Sequence, residues 1–453
     1  MESMAAWGVA PVPRAARDLG FWHFVVLWGD LGIGLLVLLA GSFLVPALSL
    51  GDALLAIVVG SVIGVALLAL AGVVGSETGS PTMVCLRPAL GNRGSYVPTA
   101  LNVVQLLGWT VFEVVVMGHA ANAIGRRVLG LDAYWLWAAL FGLIVVGMGV
   151  WGPMGVIRQW LGKFAVWVML GTTAWLTWVL LDRYDVGALV ARPGTGGLPF
   201  WTAVDIVIAM PISWLPLVSD YSRFARRPAS AAWGTALGYL VANVWFYGLG
   251  ALILLAARVT QEPKGFVEAI ALIAGPAVLL ILLVDETDEA WADLYSCAVS
   301  VQNVLPTVGL CGVIVALGAT AVGLALILDV TQYEHFLLLI GSVFVPLFGV
   351  LAADYFGVRR GYVEAELLRP GGLYWAQGGV NWLGVLAWVL GIVVYLGIAG
   401  RLAVLGWAGI PSVGASLPSL AVSGGAYLAL ARLAPGALRP AASVGAASRP
   451  SGR

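Results

Sequence analysis

The chain has 453 residues, 61% of them hydrophobic and only 10% charged, with a mean hydropathy of +0.97 and a formal net charge of zero. A soluble globular chain carries about 25% charge, so the composition excludes a soluble enzyme or scaffold and describes an integral membrane protein. The neutral balance provides no basic surface for nucleic acid, and no stretch between the apolar runs reads as a separate soluble domain.

Apolar runs of roughly 20 residues, each enough to cross about 30 Å of hydrocarbon as a helix, recur along the whole chain. They predict twelve spans over 23–48, 51–75, 95–124, 132–151, 159–181, 200–221, 231–257, 276–303, 307–328, 333–353, 378–399 and 402–432. The first begins too late and runs too long for a cleaved signal peptide. Cytoplasmic loops retain Lys and Arg. With the N-terminus inside, the inner segments hold 16 of the 23, including Arg14, Arg17, Arg158, Lys163, Arg223, Arg226, Arg227, Arg439, Arg449 and Arg453. Both termini are therefore expected to be cytoplasmic in a multi-pass protein of the cell membrane, with 1–22 as an N-terminal segment and 433–453 as a low-complexity, disordered tail. Cys85, Cys297 and Cys311 show no metal spacing and read as small apolar packing residues.

Two spans carry helix breakers at mid-depth. The first reads LWGDLGIGLLVLLAG, with Gly29, Gly32 and Gly34 around Asp30; the sixth reads IVIAMPISWLPLVSDY, where Pro211 and Pro216 each remove a backbone donor. Either span alone reads equally as close packing at glycine and kinking at proline. Together, five spans apart, they predict two halves of opposite orientation, 23–181 and 200–353, with helices 11 and 12 at 378–432 appended. Paired breaks at equivalent positions of inverted halves point to a secondary transporter's binding site, with freed backbone near Gly32 and Pro211 serving ion and solute.

In span 3, SYVPTALNVVQLLGWTVFEVVVMGHAANAIG, residues Gln105, Trp109 and Glu113 share one face at i, i+4 and i+8, a column about 12 Å long. A carboxylate at this depth is costly and marks a functional position by default. The plainer alternative, pairing of Glu113 with a buried base, finds almost no base in the spans. Span 8, LLILLVDETDEAWADLYSCAVSVQN, places Asp285, Glu286, Asp288, Glu289 and Asp293 within nine residues. At about 100° per residue the acids fall on one side and Ala290, Trp291, Leu294, Ala298 and Val301 on the other. The acidic face is expected to line an interior cavity, with several carboxyls holding protons at neutral pH because five so close together cannot all ionise. An extramembrane loop is the competing reading, but the apolar runs on either side are each too short to span.

The stretches GVVGSETGSPTMVCLRPALGNRGSYVPTALNVVQLLGW, SDYSRFAR, LYSCAVSVQN and PLFGVLAADYF carry a resemblance over essentially the whole length. The chain resembles the nucleobase:cation symporters, the family of cytosine, purine, allantoin and hydantoin permeases. The resemblance implies a fold of the LeuT type, all-α, with two inverted five-helix repeats, helices 1 and 6 broken, and alternating access. It implies that Trp109 stacks on a planar substrate, that Glu113 stands where the hydantoin transporter has an amide, and that Asp293 is the polar contact of span 8. The count that should reach a second stacking aromatic in span 6 reaches Pro211 instead, leaving Trp214 as a nearby substitute and backbone around Ala209, Met210 and Ser213 as the contribution of that span. Glu289 joins the substrate set from the acidic face. In sodium-coupled members the ion lies between carbonyls of the broken first span and hydroxyls of span 8, which here gives Gly29, Asp30, Gly32, Ile33, Thr287 and Asp288; a metal role is open to sodium at Gly29, Ile33, Thr287 and Asp288. An acid in place of a hydroxyl leaves sodium and proton equally open.

A carboxylate accepts two parallel hydrogen bonds and suits an edge with adjacent N–H donors, as in an aminopyrimidine or protonated cytosine, better than the acceptor-rich edge of uracil. The expected function is therefore symport of an aminated nucleobase or related heterocycle, with the thiamine precursor hydroxymethylpyrimidine as the nearest rival. A cation-selective channel would use the same acids as a ring. No nucleophile with its base, metal-ligand cluster or phosphate loop suggests an enzyme, and no cofactor beyond the coupling ion and no obligate protein partner is expected.

Overall fold

The computed structural model describes residues 7–151, 166–257, 261–328, 333–405, 409–410 and 412–434. Arg158, Lys163, the first residues of span 5, and the tail with Arg439, Arg449 and Arg453 lie outside the described residues. Within them the chain is helix, turn and loop, and its only strand-like pairings are isolated bridges at Leu19 with Ala225 and Gln377 with Val380. Spans 2, 3 and 4 are helices over Leu50–Thr78, Tyr96–Val128 and Tyr134–Trp151; span 5 is described over Val166–Arg183. Span 7 is Pro228–Ala257, span 8 Pro276–Val304, span 9 Leu310–Ala325, span 10 Tyr333–Ala352, span 11 Trp382–Ile398 and span 12 Ser416–Leu433. Large apolar side chains such as Trp135, Leu143, Trp167 and Trp233 face outward, as a lipid-facing surface requires.

Span 1 is broken as expected: Phe21–Asp30 and Leu35–Ser42 meet at 60° across Leu31–Gly34. It ends at Ser42, earlier than its apolar run, with Pro46 unable to donate in a continuing turn. Span 6 departs from expectation at Pro211. The helix Phe200–Ser213 runs through that proline, and the interruption comes after it, as a 3-10 turn at Leu215–Leu217 before Val218–Ser222. Pro211 is tolerated because it seats on Gly64 of span 2, where a methyl group would lie 2.4 Å from its Cγ. Pro216 sits in the first turn of the 3-10 segment, where a missing donor costs little. Span 12 also starts later than predicted, at Ser416, because the preceding chain turns through Gly409 at φ +85°, a conformation that ends helices. An added helix, Pro263–Ile273, precedes span 8. Cys85 and Cys297 are buried as expected, whereas Cys311 is exposed on span 9.

Span 7 cradles the broken span 1 at backbone contact. A Cβ on Gly250 would lie 1.8 Å from the Leu38 carbonyl oxygen, and one on Gly41 would lie 2.1 Å from that of Tyr247. No rotamer relieves a clash with backbone, so Gly250→Ala must push the second half of span 1 away. Overpacking of this kind costs about 1–3 kcal/mol or more. A melting temperature in detergent equal to that of wild type would show that the two backbones are not in contact.

The resemblance motifs serve as clasps. Asp220, in SDYSRFAR, accepts from the Thr82 amide at 3.0 Å, and Thr82 Oγ1 accepts from the Ser219 amide at 2.9 Å. Arg223 donates to the Tyr295 hydroxyl at 3.1 Å and to the Gly8 carbonyl at 2.6 Å. These bonds tie the end of span 6 to the turn after span 2, to span 8 and to the N-terminal segment.

Candidate functional site

Spans 3 and 8 run antiparallel, and polar side chains fix their register. Asn303 donates to Thr99 Oγ1 at 2.9 Å, and Asn102 donates to Ser300 Oγ at 2.9 Å. Carried further along, that register sets Trp109 level with Asp293 and Glu113 level with Glu289. The opposite, apolar side of span 8 packs as predicted: Leu294 reaches Gly149 of span 4 and Gly318 of span 9. Span 8 thus presents its acids inward while its outer side is sealed.

A narrow cavity of about 10 Å³ is lined by Leu36, Val37, Trp109, Glu113, Met210, Ser213, Trp214, Glu289 and Asp293. Space of that size holds roughly one water, so a ring is admitted only as the helices around it move apart. Of the residues expected to bind substrate, Trp109, Glu113, Met210, Ser213, Trp214, Glu289 and Asp293 come together here. Gln105, Ala209 and Pro211 are placed outside the lining. Gln105 donates its amide to the Ser213 carbonyl at 2.7 Å, holding the end of the first helix of span 6. Ala209 is fully buried, and Pro211 is turned to Gly64. Leu36 and Val37, from the second half of span 1, were absent from the expectation; a broken helix exposes its first turn to the cavity, and the residues just after Gly34 follow from that.

The two indoles differ in their supports. Trp109 is held edge-on by Tyr333 at 5.6 Å and Phe336 at 5.3 Å between ring centroids, both from span 10. Trp214 meets Trp28 edge-on at 6.0 Å. Such packing leaves ring faces for a ligand and limits rotation. The indole N–H of Trp109 has no hydrogen-bond partner among the described residues.

Glu113 and Asp293 are buried and within hydrogen-bonding reach of each other. Two carboxyls bond only when one carries a proton, so the pair behaves as a shared-proton unit. Glu289 packs against the break, where a Cβ on Gly34 would lie 2.7 Å from its Oε2. Glu286 does something the sequence alone did not reveal. Its Oε2 accepts from the Leu35 amide at 2.7 Å, and the Leu36 amide also bonds to it. It therefore caps the second half of span 1, whose own preceding residue, Gly34, has no side chain for the task. Its place on the acidic face of span 8 was visible in the sequence; its partner was not.

Of the expected cation ligands, Asp30 and Asp288 come together across the break, joined by Asp285, which had not been expected there. Gly29 packs near Gly238, and the direction of Gly32 is filled by Ala242 of span 7, so both glycines allow the close approach of spans 1 and 7. The Ile33 amide closes a turn onto the Asp30 carbonyl at 2.8 Å. Thr287 donates its hydroxyl within its own helix, to the Val284 carbonyl at 2.6 Å.

Residues 11–415 match the family model described as permease for cytosine/purines, uracil, thiamine, allantoin. The chain is similar to a hydantoin permease of Microbacterium maritypicum, 27% identical over 409 residues covering 85% of this chain and 83% of the relative. It is similar to a cytosine permease of Escherichia coli (strain K12), 25% identical over 384 residues covering 84% and 87%. Among solved structures it shares the fold of Mhp1, a nucleobase-cation-symport-1 family transporter in a closed conformation with bromovinylhydantoin bound. The TM-score is 0.82 at 22% identity, over 95% of this chain and 96% of that one. A Na+-coupled sialic acid symporter in a substrate-bound outward-open state matches at 0.59 and 11% identity, over 93% and 91%. The LeuT-type, multi-pass helical architecture expected from the sequence is thus the architecture of this protein.

Proposed function

The chain belongs to the family of permeases for cytosine/purines, uracil, thiamine and allantoin, and from that premise we propose that it imports an aminated heterocycle of the nucleobase class by cation or proton symport with alternating access. The observation that carries this reading is the convergence of three carboxyls, Glu113, Glu289 and Asp293, on one cavity beside Trp109 and Trp214. A flat ring inserted between the indoles gains stacking. A ring edge with adjacent N–H donors finds charged acceptors and can take the place of the proton shared by Glu113 and Asp293. The acceptor-rich edge of uracil meets acceptors and is disfavoured. Hydantoin and cytosine, the rings that name the relatives, are of suitable size and flatness, and the acids select between them in favour of the aminated one.

Glu289 supports a second reading within this class. A hydroxymethyl group beside an aminopyrimidine edge adds a donor, and the third carboxyl adds an acceptor for it, so hydroxymethylpyrimidine fits the set as well. A thermal-shift screen of cytosine, adenine, hydroxymethylpyrimidine, uracil and hydantoin tests both. The largest stabilisation is expected from an aminated ring; equal or larger shifts with uracil or hydantoin would overturn the selection by acids.

Asp288 is assigned to coupling. It stands beside the broken first span and outside the lining of the substrate cavity. Asp288→Asn is expected to change the dependence of uptake on imposed ion gradients in proteoliposomes while solute binding persists. Unchanged dependence on sodium, proton and divalent gradients alike would reject the assignment. The Lys and Arg bias supports cytoplasmic placement of both termini.

A further inference from the structure

The coupling reading leaves the ion unnamed, and the geometry at the break narrows its class. Asp30, Asp285 and Asp288 are all buried, and one oxygen from each lies within 4.8 Å of those of the other two. Oxygens on opposite sides of a calcium-sized ion, bound at about 2.3–2.6 Å, are roughly 5 Å apart, whereas magnesium demands about 2.0–2.1 Å and a tighter octahedron. The cluster thus has the span of a large, hard cation.

An independent observation shows that the cluster lacks something. Both carboxyl oxygens of Asp285, which is 4% exposed, have no hydrogen-bond partner among the described residues, and neither does Oδ1 of Asp30. Buried carboxylate oxygens are not left so without a large penalty. The charged groups acting on Asp285 are Asp30, Asp288 and Glu286, all acidic. Water does not reach the group, no base relieves it, and a cation would.

Charge decides between monovalent and divalent. Three carboxylates around one sodium leave two uncompensated negative charges in a medium of low dielectric constant. A divalent ion leaves one, and a single proton shared by Asp30 and Asp288, which already stand in hydrogen-bonding contact, removes it. All-oxygen carboxylate ligation selects hard ions. We propose that Asp30, Asp285 and Asp288 form a binding site for one large divalent cation of the calcium or manganese class at the break of span 1. The site lies beside the substrate cavity and shares none of its lining residues. As the identity of the coupling ion, this proposal rests on the symport reading; as a binding site, it stands by itself.

The test is calorimetric titration of the purified full-length chain in detergent with calcium, manganese, magnesium and sodium chlorides. One calcium or manganese ion per chain is expected, with magnesium and sodium at least tenfold weaker. Asp285→Asn should weaken divalent binding tenfold or more, and Asp30→Asn provides a second variant should the first not fold. Absence of divalent binding to wild type overturns the proposal, as does sodium binding tighter than calcium and manganese, or divalent binding unchanged in a folded Asp285→Asn protein. Binding of cytosine or hydroxymethylpyrimidine, measured in EDTA, separates the two readings. Failure there with ion binding intact removes the aminated-substrate reading and leaves the site.

Discussion

Glu113→Gln is expected to weaken binding of the best aminated ligand about ten- to a hundredfold. The variant keeps the shape of the side chain and replaces one acceptor oxygen with a donor NH2. If the ring presents adjacent N–H groups to the Glu113 and Asp293 pair, one of them then faces a donor. The loss is on the scale of hydrogen bonds to charged groups, about 1.5–3 kcal/mol. A protonated glutamic acid that merely packs would be replaced by glutamine at almost no cost, and affinity would stay within about twofold. Equilibrium binding to purified wild type and variant distinguishes the two. Trp109→Ala is the positive control, because it removes the stacking face whichever edge the ring presents. A Glu113→Gln protein that binds as tightly as wild type would remove Glu113 from recognition, and with it the preference for aminated rings over uracil or hydantoin.

What the sequence made legible is set by what periodicity can carry. The column Gln105, Trp109, Glu113 shares a helix face by spacing alone, and Trp109 and Glu113 do reach one cavity. Gln105 does not, because spacing says which residues share a face and not where along the helix the cavity begins. The acidic side of span 8 was visible as an angle, but the sorting of its five carboxyls was not. Glu113 and Asp293 pair, Glu289 leans on Gly34, Glu286 caps a helix, and Asp285 and Asp288 meet Asp30. That division depends on the break in span 1, whose 60° bend brings backbone from another part of the chain against span 8. The misplaced interruption of span 6 has a similar origin. Pro211 was the stronger breaker locally, yet Gly64, far away in sequence, provides the room that keeps it helical. Tertiary contact decided what local chemistry left open.

Glu286→Leu is expected to lower both melting temperature and uptake sharply, although Glu286 lies outside the lining of the cavity. A helix start leaves amide groups without intrahelical partners, and the half-helix Leu35–Ser42 starts in the interior, where Leu35 is 1% exposed. Glu286 accepts from the Leu35 and Leu36 amides. Leucine leaves both unpaired at roughly 1–3 kcal/mol each, and the favourable interaction of a negative group with the helix dipole, up to about 2 kcal/mol when partly buried, is lost with it to the extent that Glu286 is ionised. Glu286→Gln keeps an oxygen in the same place and should restore most of the melting temperature. Because Leu36 and Val37 line the cavity directly after the capped turn, a frayed turn displaces one wall of the site. Solute affinity should therefore fall in the leucine variant and recover in the glutamine one. If leucine and glutamine variants melt alike and bind alike, the cap carries no weight, and the break in span 1 must be held by its packing on span 7 alone.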